Sequence, residues 1–389
     1  MKKAARFFVL AMSALLLFYV YENRAPGYHR LTAAEKENYA AILRDKAFPP
    51  EKYLAEAVRA HDVVILGEPH RISEHYRFLA GALAEARKAG ADCLAMELFS
   101  LPSQGDIDEL MRLPRFDPAL ARSIVLRAFP GFFYKELALV LEKAWEVNRK
   151  SGRFDVLALG GGRDAGMAAL VAARAGKGEK VLVYSGMHHA FSGYYQPGPA
   201  QLLGKRYYSR DSRMGQYLRN AHRLDTFTVA LHTAVPKKWF LSGGFFLYRK
   251  PYVFPFSGVL DQVLPVHGAG AGFDTSMAGL AGLADDFSYY SAGYSPLKLK
   301  DYADGYIWLG PLESYSAPVP LDALGGEKDL RLIMGSIDHY FPPDRRPEKN
   351  DKLKKIYSRV DLPAFVAREG LSAVDFSGML DRRGLEDMR

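Results

Sequence analysis

The chain has 389 residues, of which 49% are hydrophobic and 25% charged. That balance excludes a disordered chain and a multi-span membrane protein, and leaves room for one large domain with insertions or for two domains. Lys and Arg number 52 against 44 Asp and Glu, but the surplus is scattered apart from "DRRPEKNDKLKK" near the C-terminus. A nucleic-acid surface, which needs clustered positive charge, is therefore not expected.

The N-terminal "MKKAARFFVLAMSALLLFYVY" joins a cationic start to an apolar run from Phe7 to Tyr21, the pattern of a secretory signal. The residues that follow, "ENRAPGYHR", offer no clean small-x-small cleavage site, and the run is shorter than the ~20 residues that span a bilayer comfortably. A cleaved signal and an uncleaved anchor over residues 1–25 both stay open. Either way Lys2, Lys3 and Arg6 are expected on the cytoplasmic side, with the body exported to the periplasmic side of the inner membrane.

After two short amphipathic helices, "LTAAEKENYAAILRD" and "PPEKYLAEAVRAH", strand and helix patterns alternate. The runs "DVVILG" (62–67), "DCLAME" (92–97), "DVLALG" (155–160) and "KVLVYSG" (180–186) are short and continuously apolar, as strands buried on both faces are. "EHYRFLAGALAEARKAG" and "DAGMAALVAARAG" supply crossover helices, and a helical insertion occupies about 104–150. "LDTFTVALHTAV" and "DYADGYIWLGPL" read as later strands, and "EKDLRLIMGSIDHYF" as a late helix. The fold class expected is α/β: a mostly parallel central sheet flanked by helices, in a single domain over 30–340. Residues 341–389 read as a loosely packed polar C-terminal extension. The aromatic segment 239–256 reads as a packing layer, a lid or a membrane-touching flap.

In an open parallel sheet, ligands bind beyond the carboxyl ends of the strands. Each of the four strands carries ionisable groups there: Glu68 and His70, then Glu97, then Arg163 and Asp164, then His188 and His189. Four segments converging on one edge point to a joint site, with a small molecule as its partner. With Cys93 the only cysteine, there is no intrachain disulfide and no thiolate-cluster metal site, so any metal would be held by His and carboxylates. Such a set suits zinc, manganese or iron, whose bound water becomes a nucleophile near neutral pH. It also works without metal if one of the histidines or Glu68 takes a proton from water, with Arg163 facing an anionic group or a developing oxyanion. His188 and His189 cannot both point the same way along an extended chain.

Competing motifs are weaker. "LALGGGRDAGMAAL" meets the G-x-G-x-x-A form, but Arg163 and Asp164 intrude where a pyrophosphate needs bare backbone. No G-x-x-x-x-G-K-[ST] loop and no H-E-x-x-H occurs, and "YSGMHHAFSG" lacks the spacing of a nucleophile elbow.

Four motifs, "ILGEPHRISEH", "LAMEL", "RDAGMAALV" and "VLVYSGMHHA", resemble in order and spacing the superfamily that joins ChaN-like haem-binding uptake proteins, erythromycin esterase-like hydrolases and Tiki/TraB proteins. The resemblance covers Asp62 to about Tyr195, with fainter echoes in "GAGFDTS" and "YADGYIWLGPL". The esterase-like members imply active-site roles for Glu68, His70, Glu74, Glu97 and His188 or His189. The Tiki-like members imply a metal site that includes His70 and Glu97, to which His188 is added here as third ligand. The ChaN-like members imply haem held on this surface, with His75, His189, Tyr194 and Tyr195 as further candidate contacts. The single residue between Glu68 and His70, where the esterase pattern has two, weakens a macrolide substrate and favours the ChaN-like spacing. The leading expectation is an exported hydrolase acting on ester or amide bonds. The alternative is a non-catalytic haem or iron-binding protein at the membrane surface.

Overall fold

The structure is a computed structural model that describes residues 2–23, 28–160, 162–195, 213–236, 252–268, 270–285, 288, 290 and 297–376. The cleavage region at 24–27 and most of the aromatic segment 239–256 lie outside the described residues.

One seven-stranded sheet organises the chain. Its strands are β1 (Val63–Glu68), β2 (Ala91–Ser100), β3 (Asp155–Gly160), β4 (Lys180–Gly186), β5 (Thr226–Leu231), β6 (Ala271–Asp274) and β7 (Gly305–Trp308). They lie in the order β3-β2-β4-β1-β5-β7-β6. Every pairing is parallel except that of the edge strand β6 with β7. The expected α/β class is what forms.

Alternation along the strands fills two cores. Val64, Leu66, Leu94, Met96, Leu182 and Tyr184 face Leu79 and Leu83 of α4 (Ser73–Lys88) and Leu137 and Leu141 of α7 (Lys135–Ser151). Val63, Ile65, Cys93, Ala95, Val181 and Val183 face Met167 and Val171 of α8 (Asp164–Ala175). Burial on both faces explains why these strands read as unbroken apolar runs. The helical insertion forms three helices, α5 (Gln104–Arg112), α6 (Pro118–Leu126) and α7, whose apolar faces join the first core.

This topology places the site. From β1 and β2 the chain leaves toward the α4 and α7 face, whereas from β4, which lies between them, it leaves through α9 (Met187–Ala190) toward the α8 face. Adjacent parallel strands whose continuations part to opposite faces open a crevice at their carboxyl ends.

The two ends of the chain differ. At the N-terminus, α1 (Lys2–Asn23) leaves Phe7 at 76% exposed, together with Phe8, Leu10 and Leu15 to Leu17. Among the described residues, no helix is long and apolar enough to cross a membrane. The chain beyond Pro342, expected as a loose polar tail, forms α11 (Pro347–Tyr357) and α12 (Leu362–Val374) after the late helix α10 (Glu327–Tyr340). Tyr357, Leu362 and Val366 are buried in the first core, and Tyr357 stacks edge-on with Phe133 at 6.2 Å. In α11 a few apolar residues among charges suffice for docking, whereas α12 is mostly apolar, with only Arg368 and Glu369 charged.

Leu362→Ala should therefore cost about 2–5 kcal/mol, as for a truncated core leucine. Urea denaturation monitored by circular dichroism measures this, and a loss within about 0.5 kcal/mol would return the segment to the surface.

Candidate active site

The site begins where β1 ends. Glu68 is 0% exposed, and a buried carboxylate persists only if hydrogen-bonded. Both its oxygens turn to the next residue but one: Glu68 Oε2 accepts the backbone N–H of His70, and Glu68 Oε1 faces His70 Nδ1. The tight turn that permits this puts His70 at φ 73° and Arg71 at φ 64°. Two consecutive non-glycine residues in the left-handed region cost about 1–3 kcal/mol each and persist only where neighbours over-determine them. Here Arg71 N–H donates to Tyr76 Oη at 3.2 Å, and the Phe132 ring meets the His70 ring edge-on at 5.4 Å.

With Nδ1 committed, His70 turns Nε2 toward β4. A Cβ built on Gly186 would lie 2.6 Å from His70 Nε2 and 3.4 Å from Glu97 Oε2. Glycine is thus the residue that lets imidazole and carboxylate approach across the strand end. The side chain of His70 remains 29% exposed, so its free nitrogen lies in a crevice and is not sealed in the core.

Glu97 reaches the same place from β2. Between Met96 and Ser100 the register with β3 shifts, and such a bulge re-aims side chains. Glu97 Oε2 accepts the Gly186 N–H at 2.6 Å, and Oε1 lies 3.3 Å from His189 Nε2. On the other side of that ring, His189 Nδ1 lies 2.7 Å from Asp164 Oδ1, which also accepts the Met214 N–H at 2.8 Å. His189 is therefore gripped between two carboxylates. Burial opposes its charge, but Glu97 and Asp164 outweigh burial and push its pKa up to about 10. Burial likewise opposes the Glu97 carboxylate, yet His189, His70 and the Gly186 N–H hold its pKa well below the usual range. For His70, burial works against protonation, while Glu68 and then Glu97 reverse it and raise the pKa above 6.5.

The two adjacent histidines part company because α9 is a helical turn, which fans successive side chains about 100° apart. His189 enters the carboxylate pair, and His188 packs edge-on against Tyr290 at 5.1 Å. Burial first, and then the charge of Arg213, lower the His188 pKa to about 3, so this ring stays neutral.

The crevice thus gathers Glu68, His70, Glu97, Asp164, His189 and, at its side, His188. Other sequence candidates do not join it. Glu74 faces the 316 loop, accepting from Ser316 N–H at 2.8 Å and Ser316 Oγ at 2.6 Å. His75 is 0% exposed and bonds the His232 carbonyl at 3.1 Å; burial depresses its pKa to about 3. Both belong to the first turn of α4, which points them at the loops beyond β5 and β7. Arg163 is exposed at the start of α8. Tyr194 Oη donates to the Tyr290 carbonyl at 2.5 Å, and burial raises its pKa, so it remains a phenol. Tyr195 is exposed and accepts from Asn220 Nδ2 at 2.8 Å. Three further residues shape the site without having been candidates: Gly186, whose signal is the glycine three residues before His189 in "YSGMHHA", and Arg213 and Met214, which carry no motif.

The residues do not fit a resident metal as they are arranged. Both nitrogens of His189 face carboxylates, both oxygens of Glu97 are engaged, and His70 offers one nitrogen. Among the described residues, no group of three or more His, Cys, Asp or Glu side chains is placed to hold an ion. The candidate haem contacts His75, Tyr194 and Tyr195 are likewise spent on separate partners.

No protein-family model matches this chain. No curated protein matches its sequence. Among solved structures it is similar to a Bacillus cereus protein (11% identity, TM-score 0.48, covering 70% of this chain and 97% of that one). A succinoglycan biosynthesis protein gives 10% identity and a TM-score of 0.49, over 72% of this chain and 98% of that one. An erythromycin esterase variant in its open conformation gives 12% identity and a TM-score of 0.40, over 66% and 92%. Likenesses this distant carry no argument about substrate or activity.

Because the His189 pKa rises from 6.5 to about 10 on folding, its contribution to stability is complete below about pH 6.5 and disappears as the pH climbs toward 10. Wild type should lose Tm relative to His189→Gln across that window in a calorimetric pH series. A difference independent of pH would contradict the ion pair.

Proposed function

We propose that this chain is a hydrolase-like protein that activates water for attack on an ester or amide carbonyl. The observation that carries the reading is the Glu68–His70 pair: a buried carboxylate fixes Nδ1 of a partly exposed imidazole and leaves Nε2 facing the crevice beside Glu97. A base oriented by a carboxylate is the arrangement that general-base catalysis needs. In the reaction, His70 Nε2 takes a proton from water as the water oxygen attacks the carbonyl carbon, and the imidazolium then gives that proton to the leaving alcohol or amine. Glu68 steadies the imidazolium. His189 holds Glu97 charged and in place, so that the crevice keeps a fixed field as charge moves. Arg213, close enough to act on His188, supplies positive charge on the same rim.

The motif order and the four converging strand ends support a place in the ChaN/erythromycin esterase-like/Tiki superfamily. The basic N-terminal residues followed by the exposed apolar side chains of α1 support export of the body across the inner membrane. A C-terminal alkaline phosphatase fusion should be active and should lose activity on deletion of residues 1–25; an inactive full-length fusion would contradict export.

His70 must be neutral to accept a proton, and its pKa is raised, so turnover should increase with pH through a limb lying above 6.5. It should fall again as His189 loses its proton near 10. Hydrolysis of p-nitrophenyl esters as a function of pH measures both limbs. His70→Gln should lower kcat by about 10²–10⁴-fold; an active variant, or an ascending limb below pH 6.5, would rule out His70 as the base.

A further inference from the structure

We propose that Arg71 and Glu369 form a clamp through which the C-terminal helix α12 holds the His70 turn in its working shape, making both of them positioning residues for the site. The inference rests on His70 being the base of the proposed reaction. Arg71 follows His70 directly and shares its left-handed backbone. Its Nη1 donates to Glu369 Oε2 at 2.7 Å and approaches the Glu369 carbonyl at 3.4 Å. The guanidinium also lies over the Phe132 ring, 4.8 Å from its centroid, and Phe132 is the ring that meets His70 edge-on. Arg71 thus touches His70 twice, through the peptide bond and through Phe132.

The next residue extends the grip. Ile72, nearly fully buried, shares an apolar cluster with Val374 at the end of α12 and with Phe376 beyond it. At the other end of α12, Phe365 packs on Tyr357 at 5.4 Å, and the Tyr357 hydroxyl would lie 3.0 Å from a Cβ on Gly131, beside Arg71 Nη2. The 69–72 turn is therefore covered along one side by α12. The ion pair is only partly solvated, with side-chain exposures of 11% and 27%, and a bidentate-capable guanidinium in such a setting fixes direction as well as charge. A turn whose backbone is strained needs such external constraint, because nothing in its own sequence, which lacks glycine from Glu68 to Ile72, favours the conformation.

The test compares full-length wild type with Arg71→Ala, Glu369→Ala and Glu369→Gln. It reads hydrogen exchange of the peptide spanning residues 67–76, kcat and KM for p-nitrophenyl acetate, and Tm. Both alanine variants should exchange faster in that peptide while the β4 peptide and Tm stay close to wild type. Their kcat should drop about tenfold or more with KM little changed, since a small displacement of a reacting group is costly in rate. Glu369→Gln keeps an acceptor for Arg71 and should recover most of both readouts. Unchanged exchange in the 67–76 peptide, or acceleration spread evenly over the chain, overturns the clamp. Faster local exchange with unaltered kcat in an active wild type overturns the positioning role. If wild type does not hydrolyse the ester at all, the hydrolase reading fails and exchange alone decides the clamp.

Discussion

A single buried carboxylate governs the carboxyl edge of this sheet. Glu68 ends β1 without solvent, and the two donors that satisfy it both come from His70. To bring ring and backbone of the same residue onto one carboxylate, the chain must fold back through two left-handed residues. The strain is tolerable because a buried unpaired charge would cost more. From that constraint follow the direction of the imidazole, the need for Gly186 opposite it, and the need for an outside grip on the turn.

Around this turn the protein builds alternating charge. Carboxylates from β1, β2 and the start of α8 are separated by imidazoles from the β1 turn and α9, so each buried negative group meets a positive or donating one. Such a network holds its geometry only while fully paired. A second polar network lies beyond β5, where buried His232 joins Tyr306 at 2.8 Å and Asp261 at 3.0 Å, and receives His75 on its carbonyl. It ties α4 to β5 and β7, and it explains why two residues of the first motif, Glu74 and His75, face away from the crevice.

The parallel sheet was legible because strands buried on both faces cannot hide their composition. Runs such as "DVLALG" and "KVLVYSG" coincide with β3 and β4 at both ends. The convergence of strand ends was legible for the same reason, since parallel order alone sends every carboxyl end to one edge. What stayed hidden depends on backbone detail or on distant contacts. The sign of φ at His70 and Arg71 has no glycine to announce it. Whether His188 or His189 turns inward depends on a four-residue helical turn that extended-chain reasoning does not contain. The docking of α11 and α12 rests on Tyr357, Leu362 and Val366; in α11 the apolar positions are too sparse among charges to separate from a solvated tail, and the more apolar α12 carries no local sign of the distant surface that covers it.

Glu68 dictates which nitrogen of His70 is free. Nitrogen-15 NMR of the histidine side chains, recorded above the His70 pKa, reads this directly. Neutral His70 should carry its proton on Nδ1, with an unprotonated Nε2 facing the crevice, and Glu68→Ala should abolish the preference. A neutral His70 protonated on Nε2 in wild type would contradict it.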